Sequence, residues 1–497
     1  MTHRCDVLII GAGVVGNSIA RELSRYKLDV AVLEKEMDVG AGTSSRNSGV
    51  LHSGIHYKPG TLRARLNVQG NEMMAELCKE LKVRIQYIGK LTVAQDESDV
   101  KTLQLLKEQG EANGVPGLEI LDTEKMQKIQ PGVGGIKALW SPTTGIICPY
   151  GLTIALAENA HANGVRFFLG HEVKTITKTG EGYRLKTGTG EVFDSTLLIN
   201  SAGLYSDHIC RMVGIDEYRI YPCRGEYLIL DKSLKGSLSV LVYPAPRKGG
   251  AGLGIHLTNT VDGNILIGPS NEYVDSADDY ACTADIIEQL KKEGHKLLPG
   301  ISATDFIRSF SGLRAKQVPP QVSGFKDFVV ERREDVSGFI NLVGIESPGL
   351  TSSPAIALMV KDLVSEIMPL EQKGGFVAER PGRAGFFSEL SPEEKADLVA
   401  ENHDYGEIVC RCEHITKKEV IDAIQNPLKN RTIAGIKYRS RAMMGRCQGG
   451  FCLPRIVQIL EKEFGYRPED YLLYSAGSHL FTGRVREGLE SNVRNEA

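Results

Sequence analysis

The sequence predicts an α/β protein: a doubly wound, mostly parallel fold interleaved with an antiparallel sheet, then a small α-rich domain. Three observations predict it. Residues 7–10, Val-Leu-Ile-Ile, form a short apolar strand that runs straight into Gly11-Ala12-Gly13-Val14-Val15-Gly16. Residues 339–343 form another apolar strand far along the chain, followed by glycines and a helical run. Between them, residues 221–268 break into short strands and turns, while four cysteines crowd beyond residue 405.

The first element is strand, glycine turn, helix, strand and acid. Val15, Ile19 and Leu23 recur at helical spacing, and residues 28–33 form the second strand, ending at Glu34. A dinucleotide needs that order. Gly11 allows the tight turn, Gly13 lets the backbone reach a pyrophosphate, and Gly16 lets helix and strand pack closely. The helix N-terminus offers N–H groups and a partial positive charge to phosphates. Glu34 lies eighteen residues past Gly16 and can hydrogen-bond a ribose 2′-OH, with Lys35 beside it at the same nucleotide edge. This is a Rossmann-like fold; the alternative is a Gly-rich turn in an ordinary α/β domain.

The motif does not choose between NAD and FAD, but residues 43–57 help. Thr43, Ser44, Arg46, Asn47, Ser48, Gly49, Val50 and His52 lie in a stretch of small hydroxylated residues and glycines. A backbone with so little side-chain bulk can lie against a flat ring system, and its amides can bond flavin heteroatoms. An NAD domain would proceed here to another strand–helix unit. Without a cofactor the stretch would be a polar Ω-loop. The segment resembles the D-amino-acid-oxidase-like superfamily of FAD oxidoreductases. Within it, Asn-Ser-Gly-Val-Leu-His-Ser-Gly-Ile-His-Tyr-Lys-Pro at 47–59 is similar to the L-2-hydroxyglutarate and glycerol-3-phosphate dehydrogenases.

At 497 residues the chain calls for two or three domains. A net charge of −3 gives no reason to expect nucleic acid or anionic lipid as a partner. Residues 1–6 carry no basic or apolar leader, and no run approaches the roughly 18 apolar residues of a membrane span. A cytoplasmic location is expected, peripheral to the membrane only through a partner.

Residues 61–81 suit a helix, 87–94 a strand, 101–111 a helix, 131–149 a turn-rich stretch and 150–162 a helix. Residues 165–169 and 197–203 read as strands. The resemblance implies an adenine contact at Val173 and a second FAD-contacting strand end at Ala202 and Gly203. Strands expected at 226–230, 238–243, 252–257 and 264–267 suit the roof of a substrate pocket, with a helix at 285–297 and a further substrate-side segment at 306–314. Gly344 opens the turn after residues 339–343, and a helix is expected from Ala355 to about Met368. Pro348, Gly349, Leu350 and Thr351 should lie at the pyrimidine end of the flavin, where a helix dipole favours the charge of the reduced form. The FAD part is thus expected at about 1–85, 145–215 and 330–370, and the substrate part at 86–144 and 216–329. A Gly/Pro-containing linker is expected at 371–404, and a cysteine domain at 405–497.

That domain carries Cys410-Arg411-Cys412 and Cys447-Gln448-Gly449-Gly450-Phe451-Cys452, each ahead of a helix, near 416 and 454. Four thiolates on two loops suit zinc or an iron–sulfur cluster. Structural zinc prefers C-x₂-C knuckles. C-x-C with C-x₄-C fits a two-iron cluster better, each pair holding its own iron. Disulfides or free thiols are the remaining option. The segment resembles the bacterioferritin-associated-ferredoxin-like [2Fe-2S] domain, in particular that of anaerobic glycerol-3-phosphate dehydrogenase large subunits. Arg411, Arg446, Lys437, Arg439 and Arg441 nearby are either a solvated face or neutralise cluster charge.

Flavin-dependent oxidation of a secondary alcohol needs a base for the hydroxyl proton and a carbinol hydrogen aimed at flavin N5. Neutral imidazole suits the base role. The candidates are His52, His56 and His256. The resemblance places a histidine in a strand like that of His256, facing the flavin, and favours it. His56 departs from both related groups, which carry tyrosine or arginine there. Arg314, in Ser-Gly-Leu-Arg, matches the family's anion-binding element and suits bidentate binding of carboxylate or phosphate. Arg224 and Lys316 are weaker candidates.

The first expectation is an FAD- and [2Fe-2S]-dependent glycerol-3-phosphate dehydrogenase, because the hydroxyglutarate enzymes generally lack the cluster. Its electrons would go to a separate subunit, a pyridine-nucleotide flavoprotein or a quinone-linked protein. The alternatives are L-2-hydroxyglutarate dehydrogenase, an amine or amino-acid dehydrogenase subunit, and a non-enzymatic electron-transfer subunit or redox sensor.

Overall fold

The computed structural model describes residues 1–246, 254–298, 300–322, 324–382, 385–430 and 432–483. The chain forms two compact units: residues 1–35 with 39–384, and residues 36–38 with the chain from 385 onward.

In the larger unit, Thr2–Ile10 runs parallel to Val30–Glu34 on one side and to Val192–Asn200 on the other. Arg166–Leu169 joins Val30–Glu34, and Phe339–Val343 joins Val192–Asn200, both in parallel. Residues 7–10 and 339–343 are fully buried, as strands covered on both faces must be, which is why they are unbroken apolar runs. Antiparallel additions, Val173–Lys178 with Tyr183–Thr187 and Val329–Arg332, complete this sheet. Helices Val14–Leu23, Leu62–Glu80, Pro149–Ala162 and Gly349–Ser365 pack together over it. Gly70 lets Leu62–Glu80 lie close against Gly349–Ser365: a Cβ there would sit 2.2 Å from the Thr351 carbonyl oxygen.

The second sheet has nine strands and is almost wholly antiparallel. Tyr221–Leu230 pairs along its length with Phe306–Lys316. Ile265–Gly268, His256–Asn259 and Leu241–Pro244 follow in that order, and Leu241–Pro244 meets Lys90–Ala94 in the sheet's parallel pairing. Of the strand expected at 252–257, residues 252–253 lie outside the described residues.

Two expectations are corrected. The turn-rich stretch 131–149 contains the strands Lys137–Ser141 and Gly145–Ile147. Their partners, Lys90–Ala94 and Val50–Leu51, lie far away in sequence, and long-range pairing overrides local turn composition. The helix expected from 355 starts six residues earlier, at Gly349. Pro354 reads as a boundary because it lacks an N–H. In the fold, the Ser353 hydroxyl donates to the Leu350 carbonyl at 3.0 Å, the acceptor that Pro354 cannot serve.

Within the stretch expected as a linker, residues 371–382 are fixed to the larger unit. Phe376 stacks under Arg25 at 4.1 Å, and the Val377 carbonyl accepts from Asn159 and Asn163. Residues 383–384 lie outside the described residues, as does 484–497 of the expected cysteine domain.

The smaller unit has a two-stranded ribbon, Ile408–Cys410 with Ile415–Thr416, and the helices Pro392–Glu401, Lys417–Ile424, Ile433–Ser440 and Cys452–Phe464. Capping boxes start the first two helices, Ser391 with Glu394 and Thr416 with Glu419. Val409, Val420, Ile436, Ile456 and Tyr471 lie at its apolar centre.

Candidate functional site

The glycine turn is built for close approach. Gly11 has φ +102°, and a Cβ there would meet the Ser201 carbonyl oxygen at 2.6 Å. A Cβ on Gly16 would sit 2.0 Å from the Gly11 carbonyl oxygen, so only glycine lets the helix begin this near the strand. One Glu34 carboxylate oxygen accepts the Ala12 N–H at 2.8 Å, which brings the acid to the turn. Lys35 instead pairs with Asp278 at 3.2 Å and lies over the Tyr205 ring.

Val173 is buried, and the turn before it is tied to the same edge: His171 N–H donates to the Glu34 carbonyl at 2.7 Å. Ala202 abuts Gly11, and Gly203 has φ +55° with nothing of the protein within 4 Å of a built Cβ. This open backbone is what a flat cofactor needs.

The stretch 43–57 crosses from the glycine turn to the antiparallel sheet. Ser44 Oγ accepts the Val14 N–H at 2.9 Å, and Thr43 Oγ1 donates to the Leu313 carbonyl at 2.7 Å. Asn47 stitches the loop to itself, donating to the Thr43 and Ser44 carbonyls and accepting from Gly49 N–H. Arg46 lies over the Tyr280 ring, its carbonyl against Gly312. Ser48 hydrogen-bonds Tyr227, and Val50 pairs with Ile146. The His52 N–H donates to Thr351 Oγ1 at 3.1 Å, which joins this loop to the start of the helix Gly349–Ser365. Pro348 caps that helix, and the N–H groups of Leu350 and Thr351 in its first turn have no intrahelical acceptor. At Gly344 a Cβ would overlap the Gln317 amide. Ser45 Oγ and His52 Nδ1 are buried without a partner among the described residues. These orphaned atoms, the open glycines and the helix N-terminus fit a flavin.

The candidate histidines, His52 and His56 from one loop and His256 from far along the chain, come within electrostatic reach of one another. His256 is buried, stacks on Tyr243 with 3.7 Å between centroids, and directs Nδ1 at the Gly254 carbonyl at 2.8 Å. That hydrogen bond makes Nδ1 the donor and leaves Nε2 as the acceptor. Burial pushes His256 and His52 down to about 3 and His56 well below its ordinary value, so all three are neutral near pH 7.

Sequence reasoning missed Lys90. It begins a strand, yet it is fully buried, with Nζ 3.0 Å from His56 Nε2. Burial lowers its ammonium to about 7. The only sequence signal is a lysine opening the otherwise apolar strand Lys-Leu-Thr-Val-Ala.

Among the described residues Arg314 bonds only neutral groups: Asn271 Oδ1 and the Ser270 carbonyl, both at 2.8 Å, and the Cys223 sulfur. Its guanidinium occupies space that a Cβ on Gly225 would close, 2.6 Å from Nη2. Arg224 differs, since Glu272, Asp279 and Glu226 surround it and cancel its charge. Lys316 is buried beside Tyr273 and Phe325.

In the smaller unit, the four cysteines form two pairs, but each pair joins the two loops. Cys412 and Cys447 are exposed, with sulfurs 3.5 Å apart. Cys410 and Cys452 are buried and hydrogen-bonded to each other. Both contacts thus cross between the loops. The physical reason is that Cys410 and Cys452 both belong to the unit's apolar core, whereas the turn after Cys410 carries Cys412 outward. The Cys452 thiol donates to Cys410 and, with backbone N–H groups of Met443 and Glu413, lowers it to about 6. N–H groups of Phe451 and Gly449 lower Cys447. Four non-glycine residues around these loops, His414, Arg441, Met443 and Gln448, hold positive φ from 49° to 69°, and of these the Met443 N–H bonds the buried thiols. Paired thiols from two loops, each with N–H donors, fit a two-iron cluster. Among the described residues no three His, Cys, Asp or Glu side chains are grouped to hold a single ion. Arg441 pairs with buried Glu413 at 2.9 Å, and Arg411 stacks over Phe451 at 4.3 Å.

Comparison with known proteins adds to this geometry. The family described as FAD dependent oxidoreductase matches residues 6–363, and the BFD-like [2Fe-2S] binding domain matches residues 408–462. A glycerol 3-phosphate dehydrogenase of Caloramator mitchellensis is 43% identical over 98% of this chain and 100% of its own. The mitochondrial L-2-hydroxyglutarate dehydrogenase of Arabidopsis thaliana is 33% identical over 71% of this chain and 82% of its own. Among solved structures, a dithionite-reduced L-α-glycerophosphate oxidase from Mycoplasma pneumoniae with FAD bound superposes with a TM-score of 0.71. It is 30% identical, over 76% of this chain and 98% of its own.

Proposed function

The chain belongs to the FAD-dependent oxidoreductase family and carries a BFD-like [2Fe-2S] domain, and from that premise we propose that it oxidises sn-glycerol 3-phosphate to dihydroxyacetone phosphate. The observation that carries the reaction class is the meeting of His52, His256 and an uncancelled Arg314. The choice of substrate is supported by length. The likeness to the glycerol 3-phosphate dehydrogenase spans both units, whereas that to the hydroxyglutarate enzyme spans 71% of the chain. L-2-hydroxyglutarate is the second reading, because it too is an anionic secondary alcohol that Arg314 could hold.

When bound, FAD supplies the acceptor for the carbinol hydride and the [2Fe-2S] cluster a one-electron outlet. Arg314 binds the substrate anion and fixes which hydrogen faces the flavin. His256 takes the hydroxyl proton on Nε2, because Nδ1 is committed to Gly254. His52 and the first turn at Gly349–Thr351 hold the pyrimidine edge. The glycine turn, Glu34, Val173, Ala202 and Gly203 hold the nucleotide. Cys410, Cys412, Cys447 and Cys452 hold the cluster. No helix of the described residues is long and apolar enough to cross a membrane. The proposed recipient of electrons is a separate subunit, pyridine-nucleotide-linked or quinone-linked, which the chain meets in the cytoplasm.

Anaerobic flavin bleaching by glycerol 3-phosphate, and none by L-2-hydroxyglutarate, is the expected result; the reverse selects the second reading. Turnover with a one-electron dye should exceed turnover with O₂ and collapse in Cys447→Ser. Fast peroxide production in both proteins would make the cluster structural.

A further inference from the structure

Lys90 is an expensive residue for the fold to keep. Its side chain is fully buried and makes no ion pair among the described residues. An ammonium in that position persists only where something rewards its charge. The groups around it come from three directions. His52 and His56 face it from the flavin loop, and His256 from the second strand over in the sheet, beyond Leu241–Pro244. Tyr243 offers its ring face 5.0 Å from Nζ, and Arg314 lies beyond His256. None of these is an acid.

Lys90 cannot touch a ligand itself, because no part of it reaches solvent. His56 can, being half-buried, with Nε2 turned to Lys90 and Nδ1 without a protein partner among the described residues. We propose that Lys90 is a positioning residue acting through His56, the two sharing one proton so that His56 presents a cationic Nδ1–H to the anionic group of the substrate. The proton on Lys90 Nζ passes to His56 Nε2 as the anion docks, and no other bond changes. Arg314 and His56 then grip the substrate from two sides, which suits a dianion. This rests on the proposal of a small anionic alcohol as substrate. It implies that anion binding weakens as pH rises through about 7, where Lys90 loses its proton, and that above this pH binding takes a proton up.

The test is calorimetry on the full-length holoprotein with inorganic sulfate, a dianion that does not titrate in this range. Each titration is run in two buffers of different ionisation enthalpy, from pH 6 to 9. Wild type should bind with proton uptake above pH 7 and lose about tenfold in affinity per pH unit there. Lys90→Met should bind at least tenfold more weakly at pH 6, with no proton uptake and unchanged FAD content. Lys90→Arg, whose guanidinium keeps its proton, should bind as weakly as Lys90→Met at pH 6 and without the pH dependence. Should Lys90→Met not fold, His56→Gln must show the same loss. Wild type that binds sulfate, with variants indistinguishable from it, overturns the shared proton alone. Wild type that neither binds sulfate nor is reduced by glycerol 3-phosphate overturns the substrate reading as well.

Discussion

Replacing Lys90 by methionine should make the protein more stable at low pH while it damages function. Burial lowers the Lys90 ammonium from its ordinary 10.5 to about 7. That fall is worth about 5 kcal/mol, at 1.36 kcal/mol for each tenfold change in proton affinity. The sign follows from proton counts. Between about 7 and 10.5 the unfolded chain holds a proton on Lys90 that the folded chain has released, so rising pH favours folding. The destabilisation is therefore complete below about 7 and gone above about 10.5. Between pH 6.5 and 8.5 this single group should stabilise wild type by about 2 kcal/mol, and the methionine variant not at all. For a unit of this size that is a shift of about 2–3 °C in Tm. Thermal release of flavin fluorescence from both holoproteins measures it, and groups that titrate alike in the two cancel. The variant should melt above wild type at pH 6.5, and the gap should narrow by that amount at pH 8.5. A gap that stays flat or widens with pH would refute the reasoning that a charged lysine is buried there.

Four further variants have expected outcomes. Gly203→Ala meets nothing of the protein within 4 Å. Its left-handed backbone should cost about 1 kcal/mol of stability, and a loss of FAD affinity well beyond that, read by flavin titration of apoprotein, would report backbone contact with the cofactor. Arg314→Met should raise KM by an amount worth about 2–5 kcal/mol, since it removes a charged partner of a buried anion, with FAD content unchanged. Gly225→Ala should move KM in the same direction by pushing the guanidinium aside; an unchanged KM in both would remove Arg314 from the anion site. Cys412→Ser should lose the iron and labile sulfide, two of each per wild-type chain, and keep FAD; retained zinc without labile sulfide would overturn the cluster.

Much of the nucleotide half was legible because its requirements are local. Gly16 must be glycine on account of Gly11, five residues away, and Ser391 with Glu394 start a helix within one turn. The apolar runs at 7–10 and 339–343 announce doubly covered strands before anything is known of their order. C-x-C and C-x₄-C likewise disclose four candidate sulfur ligands. What spacing along the chain cannot carry is which side chains meet. The pairing of Cys410 with Cys452 and of Cys412 with Cys447 depends on which thiols join the apolar core of the smaller unit. Pro354 advertised a helix boundary that Ser353 cancels with one hydroxyl. His52 and His256 were visible only as separate candidates, and the loop folding against the sheet made them neighbours. Lys90 was invisible for the same reason: a lysine opening a strand looks like its wet end. Strands from 137–141 and 241–244 flank it on either side, and the sheet thereby buries a charge that the sequence alone would have left in water.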